Sequence, residues 1–270
     1  MLAAATIARS VALAGLFVLT SCSMTTQVSP AARSELTPTG KLRVGINHGN
    51  FLLVTSYAPG AEPRGPAPDL ARELGKRLGA PVEFVPFDTA GKLADGVKTS
   101  AWDVAFLGAE PQRAAEIDFT AAYLEIPATY LVPAGSPIRS VAEVDREGVR
   151  IAVTERAAYE LYLTRTIKHA TLVRTQGLDG AFNLFVADRL EALSGLKPRL
   201  LMDVQKLPGA RVLDGQFTGV QQAIGMPKGK SAALAYVRAF VEEAKSSGLV
   251  TDAISRNGVQ GVTVAPPAHP

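Results

Sequence analysis

The chain has a single cysteine, Cys22, which excludes an internal disulfide and a cysteine-based zinc site. Its three histidines, His48, His169 and His269, lie far apart in sequence, and no HExxH-type metal motif is present. There is no long Lys/Arg run, and 28 basic against 25 acidic residues leave a net charge of only +3. A partner with a phosphate backbone is therefore not expected. No G-x-S-x-G elbow occurs. The stretch Gly225-Met226-Pro227-Lys228-Gly229-Lys230-Ser231 falls one residue short of a P-loop, and Pro227 removes one of the N–H groups such a loop needs. No cofactor motif and no local catalytic constellation is found. What is there is globular: 270 residues, 47% hydrophobic and 20% charged, a length that suits two lobes better than one core.

Residues 1–21 read as an address. Arg9 precedes the apolar run Val11-Ala12-Leu13-Ala14-Gly15-Leu16-Phe17-Val18-Leu19, too short to span a bilayer and suited to a signal-peptide core. The run ends in Leu19-Thr20-Ser21-Cys22, which resembles a bacterial lipobox, in which the cysteine is lipidated and becomes the mature N-terminus. An ordinary secretory signal with an incidental cysteine is the alternative. Residues 22–39 are rich in Ser, Thr and Pro and are expected to form a flexible tether.

Beyond the tether, strand and helix patterns alternate. Lys41-Leu42-Arg43-Val44-Gly45-Ile46 reads as a strand, and Leu70, Leu74 and Leu78 share a helix face capped by Asp69 and closed by Gly79. Val82–Val85 and Trp102–Leu107 read as further strands. The rhythm restarts with a strand at Val149–Val153 and a helix over Glu155–Ile167. Strands at Thr171–Val173 and Leu190–Leu193 flank a helix marked by Leu178, Phe182 and Phe185. Leu234, Val237, Phe240, Val241 and Ala244 mark a late amphipathic helix. This order predicts an α/β fold of mainly parallel sheets flanked by helices. Two lobes would be joined by extended crossings near Tyr130–Pro133 and Gln221–Met226; a single doubly wound domain is the alternative.

The region from Gly40 to Gly258 resembles the family 3 extracellular solute-binding proteins of bacterial ABC importers, the periplasmic amino-acid-binding type. Four stretches carry the resemblance: Lys41–Gly45, Pro68–Leu74, the block Trp102–Ala105 with Pro111–Ala114 and Ile117–Thr120, and Glu143-Val144 with Val149–Val153. The resemblance implies a two-lobed periplasmic-binding-protein fold of type II. Residues 40–132 and 227–261 would form lobe 1, residues 133–226 lobe 2, and residues 262–270 a disordered tail. It implies a small-molecule carboxylate ligand held between closing lobes, an ABC permease in the inner membrane as partner, and a monomer in the periplasm anchored through lipid at Cys22.

Residue by residue, the resemblance places Arg113 where the family grips a ligand carboxylate, and a guanidinium fork suits that task on chemical grounds. A surface ion pair with Glu110, Glu116 or Asp118 is the alternative. The loop Asn47-His48-Gly49-Asn50-Phe51 offers His48, Asn50 and Phe51 as ligand contacts, with Phe51 equally a core residue and His48 equally solvated. The loop around Gly108 and Glu110 lacks the family's Thr or Ser. Thr154-Glu155-Arg156-Ala157-Ala158-Tyr159 replaces its Gly-Ser-Thr turn. Thr154, Arg156 and Tyr159 are candidate contacts there, Arg156 either on an anion or in solvent. Where amino-acid-binding members carry an aspartate for the ligand's α-ammonium, this chain reads Gly195 or Leu196. Either Glu110 or Glu155 replaces that acid, or the ligand has no α-ammonium, because a desolvated ammonium without a counter-charge is costly. The implied role is solute binding for import. A dehydratase of prephenate-like acids on the same scaffold, and a sensor or scaffold lobe, are the alternatives.

Overall fold

A computed structural model describes residues 27–268; the segment expected to be a signal peptide and Cys22 lie outside the described residues. Lobe 1 opens with helix α1 (Pro30–Leu36), strand β1 (Leu42–Asn47), α2 (Pro66–Leu78), β2 (Val82–Phe87), α3 (Ala90–Asp95) and β3 (Val104–Gly108). The long strand β4 (Ile117–Val132) leads to lobe 2: β5 (Arg150–Thr154), α4 (Ala158–Thr166), β6 (Thr171–Thr175), α5 (Gly177–Ala187), β7 (Ala192–Leu196), α6 (Lys197–Asp203) and β8 (Arg211–Val212). Strand β9 (Thr218–Pro227) returns to lobe 1, which closes with α7 (Ser231–Ser246), α8 (Leu249–Arg256) and β10 (Thr263–Val264).

One sheet runs through both lobes in the order β2-β1-β3-β9-β4-β7-β5-β6. The flanks are parallel: β1 pairs with β2 and β3, and β5 with β6 and β7. The centre is antiparallel, with β9 between β3 and β4, and β4 against β7. The segments read as crossings lie within β4 and β9. Sixteen residues of β4 therefore belong to strand, a length that short alternating windows did not mark.

The two lobes repeat one device. In lobe 1, Asp103 accepts hydrogen bonds from the Arg43 backbone N–H (2.9 Å) and from its guanidinium (2.6 and 3.1 Å). In lobe 2, Glu191 accepts from the Arg150 backbone N–H and from its guanidinium, each at 2.9 Å. Each pair sits one residue before the first register pair of β1 with β3 and of β5 with β7, Val44↔Val104 and Ile151↔Ala192. Each arginine also donates to the carbonyl of a residue with positive φ, Ser100 or Arg189. The clamp thus fixes strand register twice, by charge-assisted bonds, once in each lobe.

Behind the lobe 1 clamp, Trp102 is fully buried and donates from Nε1 to the Leu93 carbonyl at 2.9 Å. A Cβ on Gly45 or Gly96 would come within 3 Å of its ring, so both positions need glycine to admit the indole. The stretches that carry the family resemblance therefore meet here as packing.

Four expectations need correction. The tether expected over 22–39 is helix α1 over Pro30–Leu36. Its Ala32 and Leu36 are buried, and Glu35 accepts from the Ala233 N–H at 2.8 Å at the start of α7. Ser29 and Pro30 act as a helix start rather than as linker residues. The tail expected to be disordered from 262 adds β10 to β4, buries Ala265, and donates from the Ala268 N–H to Glu242. Helix α2 begins at Pro66, not Leu70, because proline suits the first helical turn. Helix α4 begins at Ala158 rather than Glu155, because Arg156 takes a left-handed φ of 59°.

The two clamps differ in exposure: the Asp103 side chain is 4% exposed, whereas Arg150 and Glu191 are 45% and 36% exposed. Asp103→Ala strands part of a buried network and should cost about 3–5 kcal/mol in urea unfolding, against at most about 1 kcal/mol for Glu191→Ala. Equal losses would contradict the assignment of lobe 1 register to a buried clamp.

Candidate functional site

The parallel strands β1, β3, β5 and β7 all end at the cleft, the place where open α/β sheets leave a crevice. A cavity of about 290 Å³ lies there between the lobes. That is near the small end of the roughly 300–1,000 Å³ range of ligand sites. Its apolar wall includes Leu53, Phe106, Leu196 and Val220.

Arg113 is built in from lobe 1. It opens a short 3-10 turn, and its backbone N–H donates to the Glu110 carbonyl. Its side chain turns back under β3, where Nη1 donates to the Gly108 carbonyl at 2.6 Å. Nη2 crosses the cleft and donates to the Arg156 carbonyl at 2.8 Å. Only 6% of Arg113 is exposed, and it forms no ion pair among the described residues. Burial pushes its guanidinium down to about 10, opposed by the more distant Glu110 and Glu160, so it remains a cation at neutral pH. Two of its five N–H donors are used by the two carbonyls. A buried cation of this kind favours an anion in the cavity. The first-turn N–H groups of α4, at Ala158 and Tyr159 beside the same cavity, add donors that no helical carbonyl accepts.

Two further buried polar groups border the cavity. Burial raises the pKa of the Tyr159 hydroxyl to about 12, opposed by hydrogen bonding with Thr154, so it is a neutral phenol. Gln222, on β9, is 4% exposed with Oε1 unpaired. Carboxylates also reach the lining, and each is engaged. Asp88 pairs with Lys92 at 2.7 Å, Asp179 pairs with Arg199 at 2.6 Å, and Glu155 accepts from the Gln176 amide.

Of the residues singled out in the sequence, Arg113, Asn50, Gly108, Thr154, Tyr159 and Leu196 line the cavity. Asn50 does so while its Oδ1 accepts from the Leu52 N–H, and Thr154 while its hydroxyl donates to the Gly177 carbonyl. Leu196 rather than Gly195 faces the ligand space, since a Cβ on Gly195 would press on Leu200. The other four lie elsewhere. His48 stacks on Tyr57 with centroids 4.6 Å apart, and Phe51 packs on the lobe 1 core. Glu110 faces Arg165 of α4 at 2.7 Å, an ionic contact off the hydrogen-bond axis. Arg156 is solvent-exposed but is not free beside Glu155: its guanidinium binds Asp95 of α3 at 2.5 and 3.0 Å.

Those last two pairs join the lobes. Arg156 is the centre of the junction: its N–H donates to Glu160, its carbonyl accepts from Arg113, and its side chain holds Asp95. The lobes approach closely around it. A Cβ on Gly91 would lie 2.9 Å from the Arg156 Cβ, and one on Gly108 would lie 2.9 Å from the Ala158 Cβ. The left-handed Arg156 is strained for a non-glycine residue, and the three bonds hold it there. Gln222 was missed in the sequence, although consecutive polar residues Gln221-Gln222 within an apolar strand were a signal. They point to opposite faces, and Gln221 donates to Glu125 on the other one.

The fold and the cleft define a two-lobed α/β binding protein. The model of the bacterial extracellular solute-binding proteins, family 3, matches residues 42–257, and the chain belongs to that family. Among solved structures it is similar to the solute receptor for L-cysteine of Neisseria gonorrhoeae, at TM-score 0.71 and 21% identity over 86% of this chain and 96% of that one. It is similar to an amino acid ABC transporter substrate-binding protein of Streptococcus pneumoniae bound to L-arginine, at TM-score 0.69 and 18% identity over 87% and 99%. It is also similar to an ancestral amino-acid-binding protein described as a precursor of cyclohexadienyl dehydratase, at TM-score 0.69 and 23% identity over 83% and 97%. No curated protein matches the chain.

Arg156 holds the Asp95 carboxyl down at about 2, with Lys98 assisting. A carboxyl depressed in the closed form contributes above the ordinary carboxylate range and is lost as pH falls toward 2. The open–closed distribution, read by small-angle scattering, should therefore be flat from about pH 5 to 8 and shift open below about pH 4. Asp95→Asn should shift it open at neutral pH by about 0.2–1 kcal/mol, less at high salt. A transition near pH 6–7 would contradict this assignment.

Proposed function

We propose that this protein captures a small carboxylate-bearing solute between its lobes and presents it to an ABC permease in the inner membrane, performing no bond chemistry. The observation that carries the reading is Arg113: a buried guanidinium on the cavity wall, charged at neutral pH, with no carboxylate partner among the described residues. A bidentate carboxylate would supply the missing charge and occupy donors that the two carbonyls leave free. Thr154, Tyr159, Asn50, Gly108 and Leu196 complete the proposed ligand contacts. Micromolar binding corresponds to about −8 kcal/mol, within reach of such bonds plus apolar burial in a small cavity. The cross-lobe pair Asp95–Arg156 is half-exposed and so weak enough to open again, as delivery requires.

The dehydratase alternative finds less support. It needs an acid or base free to move a proton; Asp88 and Asp179 are held by cations, which leaves Glu155, bonded to the Gln176 amide, as the single lining carboxylate that could serve. We further propose that the protein is a periplasmic monomer held to the membrane through a lipid on Cys22. Incorporation of labelled palmitate that disappears in Cys22→Ser would support the anchor; unchanged labelling would exclude it.

A thermal-shift screen with organic and amino acids tests the binding role by linkage. Hits should raise Tm in the wild type. In Arg113→Ala, affinity should fall about 30-fold or more, since removing one partner of a buried charge pair costs at least about 2 kcal/mol. Hits that bind the variant equally well would overturn the reading.

A further inference from the structure

The charge pattern of the cavity narrows the ligand further. Its dry wall, from Leu53 and Phe106 through Tyr159 and Leu196 to Val220, carries one cation without an ion-pair partner, Arg113, and no carboxylate. The three lining acids are held by Lys92, Arg199 and the Gln176 amide. Glu155 alone has no cation within ion-pair distance, and its bond to Gln176 is an exposed one. The unpartnered polar atom left for the buried part of a ligand is neutral: Gln222 Oε1, which can only accept.

Resting on the reading that Arg113 takes a carboxylate, we propose that the ligand is a small monoanionic acid with a neutral hydroxyl and an apolar body, a 2-hydroxy acid rather than an amino acid. The carboxylate sits on Arg113, the hydroxyl donates to Gln222 Oε1, and the body packs on Leu53, Phe106 and Leu196. An ammonium beside Gln222 and Leu196 would be desolvated against a dipole and a leucine, the lining acids being ion-paired or, for Glu155, bonded to the Gln176 amide at an exposed position, whereas a hydroxyl needs no counter-charge. A buried acceptor left unpaired is itself costly, so an acid lacking the hydroxyl should also bind less well.

Calorimetric titration of the purified protein with matched pairs tests this: 3-phenyllactate against phenylalanine, and 2-hydroxy-4-methylvalerate against leucine, with 3-phenylpropionate and 4-methylvalerate as hydroxyl-free controls. The hydroxy acids should bind at least about tenfold tighter than the amino acids and several-fold tighter than the controls. Gln222→Leu should erase the second preference. Leu196→Asp, which supplies an anion at the wall, should reverse the first. Amino acids binding as tightly as hydroxy acids would overturn this inference and leave the carboxylate reading standing. Binding of none of the acids, or binding that Arg113→Ala leaves unchanged, would overturn both.

Discussion

A guanidinium buried without a carboxylate destabilises a protein by several kcal/mol, and much of the cleft follows from how Arg113 is accommodated. Its two backbone partners come from different lobes, the Gly108 carbonyl from lobe 1 and the Arg156 carbonyl from lobe 2. The second bond exists only when the lobes are together. It also requires the left-handed turn at Arg156, which delays the start of α4 and leaves its first N–H groups beside the cavity. One charge therefore couples closure, backbone strain and the anion-binding surface.

Closure is held from the outside as well. Asp95–Arg156 and Glu110–Arg165 lie at the edge of the cleft, and the glycines at 91 and 108 let the lobes meet at van der Waals distance. Partly exposed pairs of this kind are individually weak. That suits a device whose closed form is to be decided by what fills the cavity. A ligand can shift such an equilibrium only by its differential affinity for the closed form, and Arg113 bonds to carbonyls of both lobes only in that form.

The architecture was largely legible in the sequence, for a reason the structure makes plain. The stretches that carried the resemblance are packing residues: Arg43 and Asp103 clamp β1 to β3, Gly45 makes room for Trp102, and Val149–Val153 delivers lobe 2's own clamp through Arg150. Local pattern reports such positions well. The site was less legible. Arg113 and Leu196 stood out only through the family resemblance, which assigns their places in the chain, but whether Arg156 faced a ligand or Asp95 depends on a contact 61 residues away. His48 and Phe51 sit in the expected loop and turn to Tyr57 and the core instead. Helix α1 and strand β10 went unread because each is short. Their order comes from what they dock on, α7 and β4, rather than from their own periodicity.

The most direct measurement is a crystal structure of the protein grown with the tightest-binding acid. The account predicts the ligand carboxylate on Arg113 at hydrogen-bond distance, about 2.7–2.9 Å, with the Gly108 and Arg156 carbonyl bonds kept and the lobes closed. A ligand whose carboxylate lies on another group, with Arg113 still bound only to backbone, would contradict it.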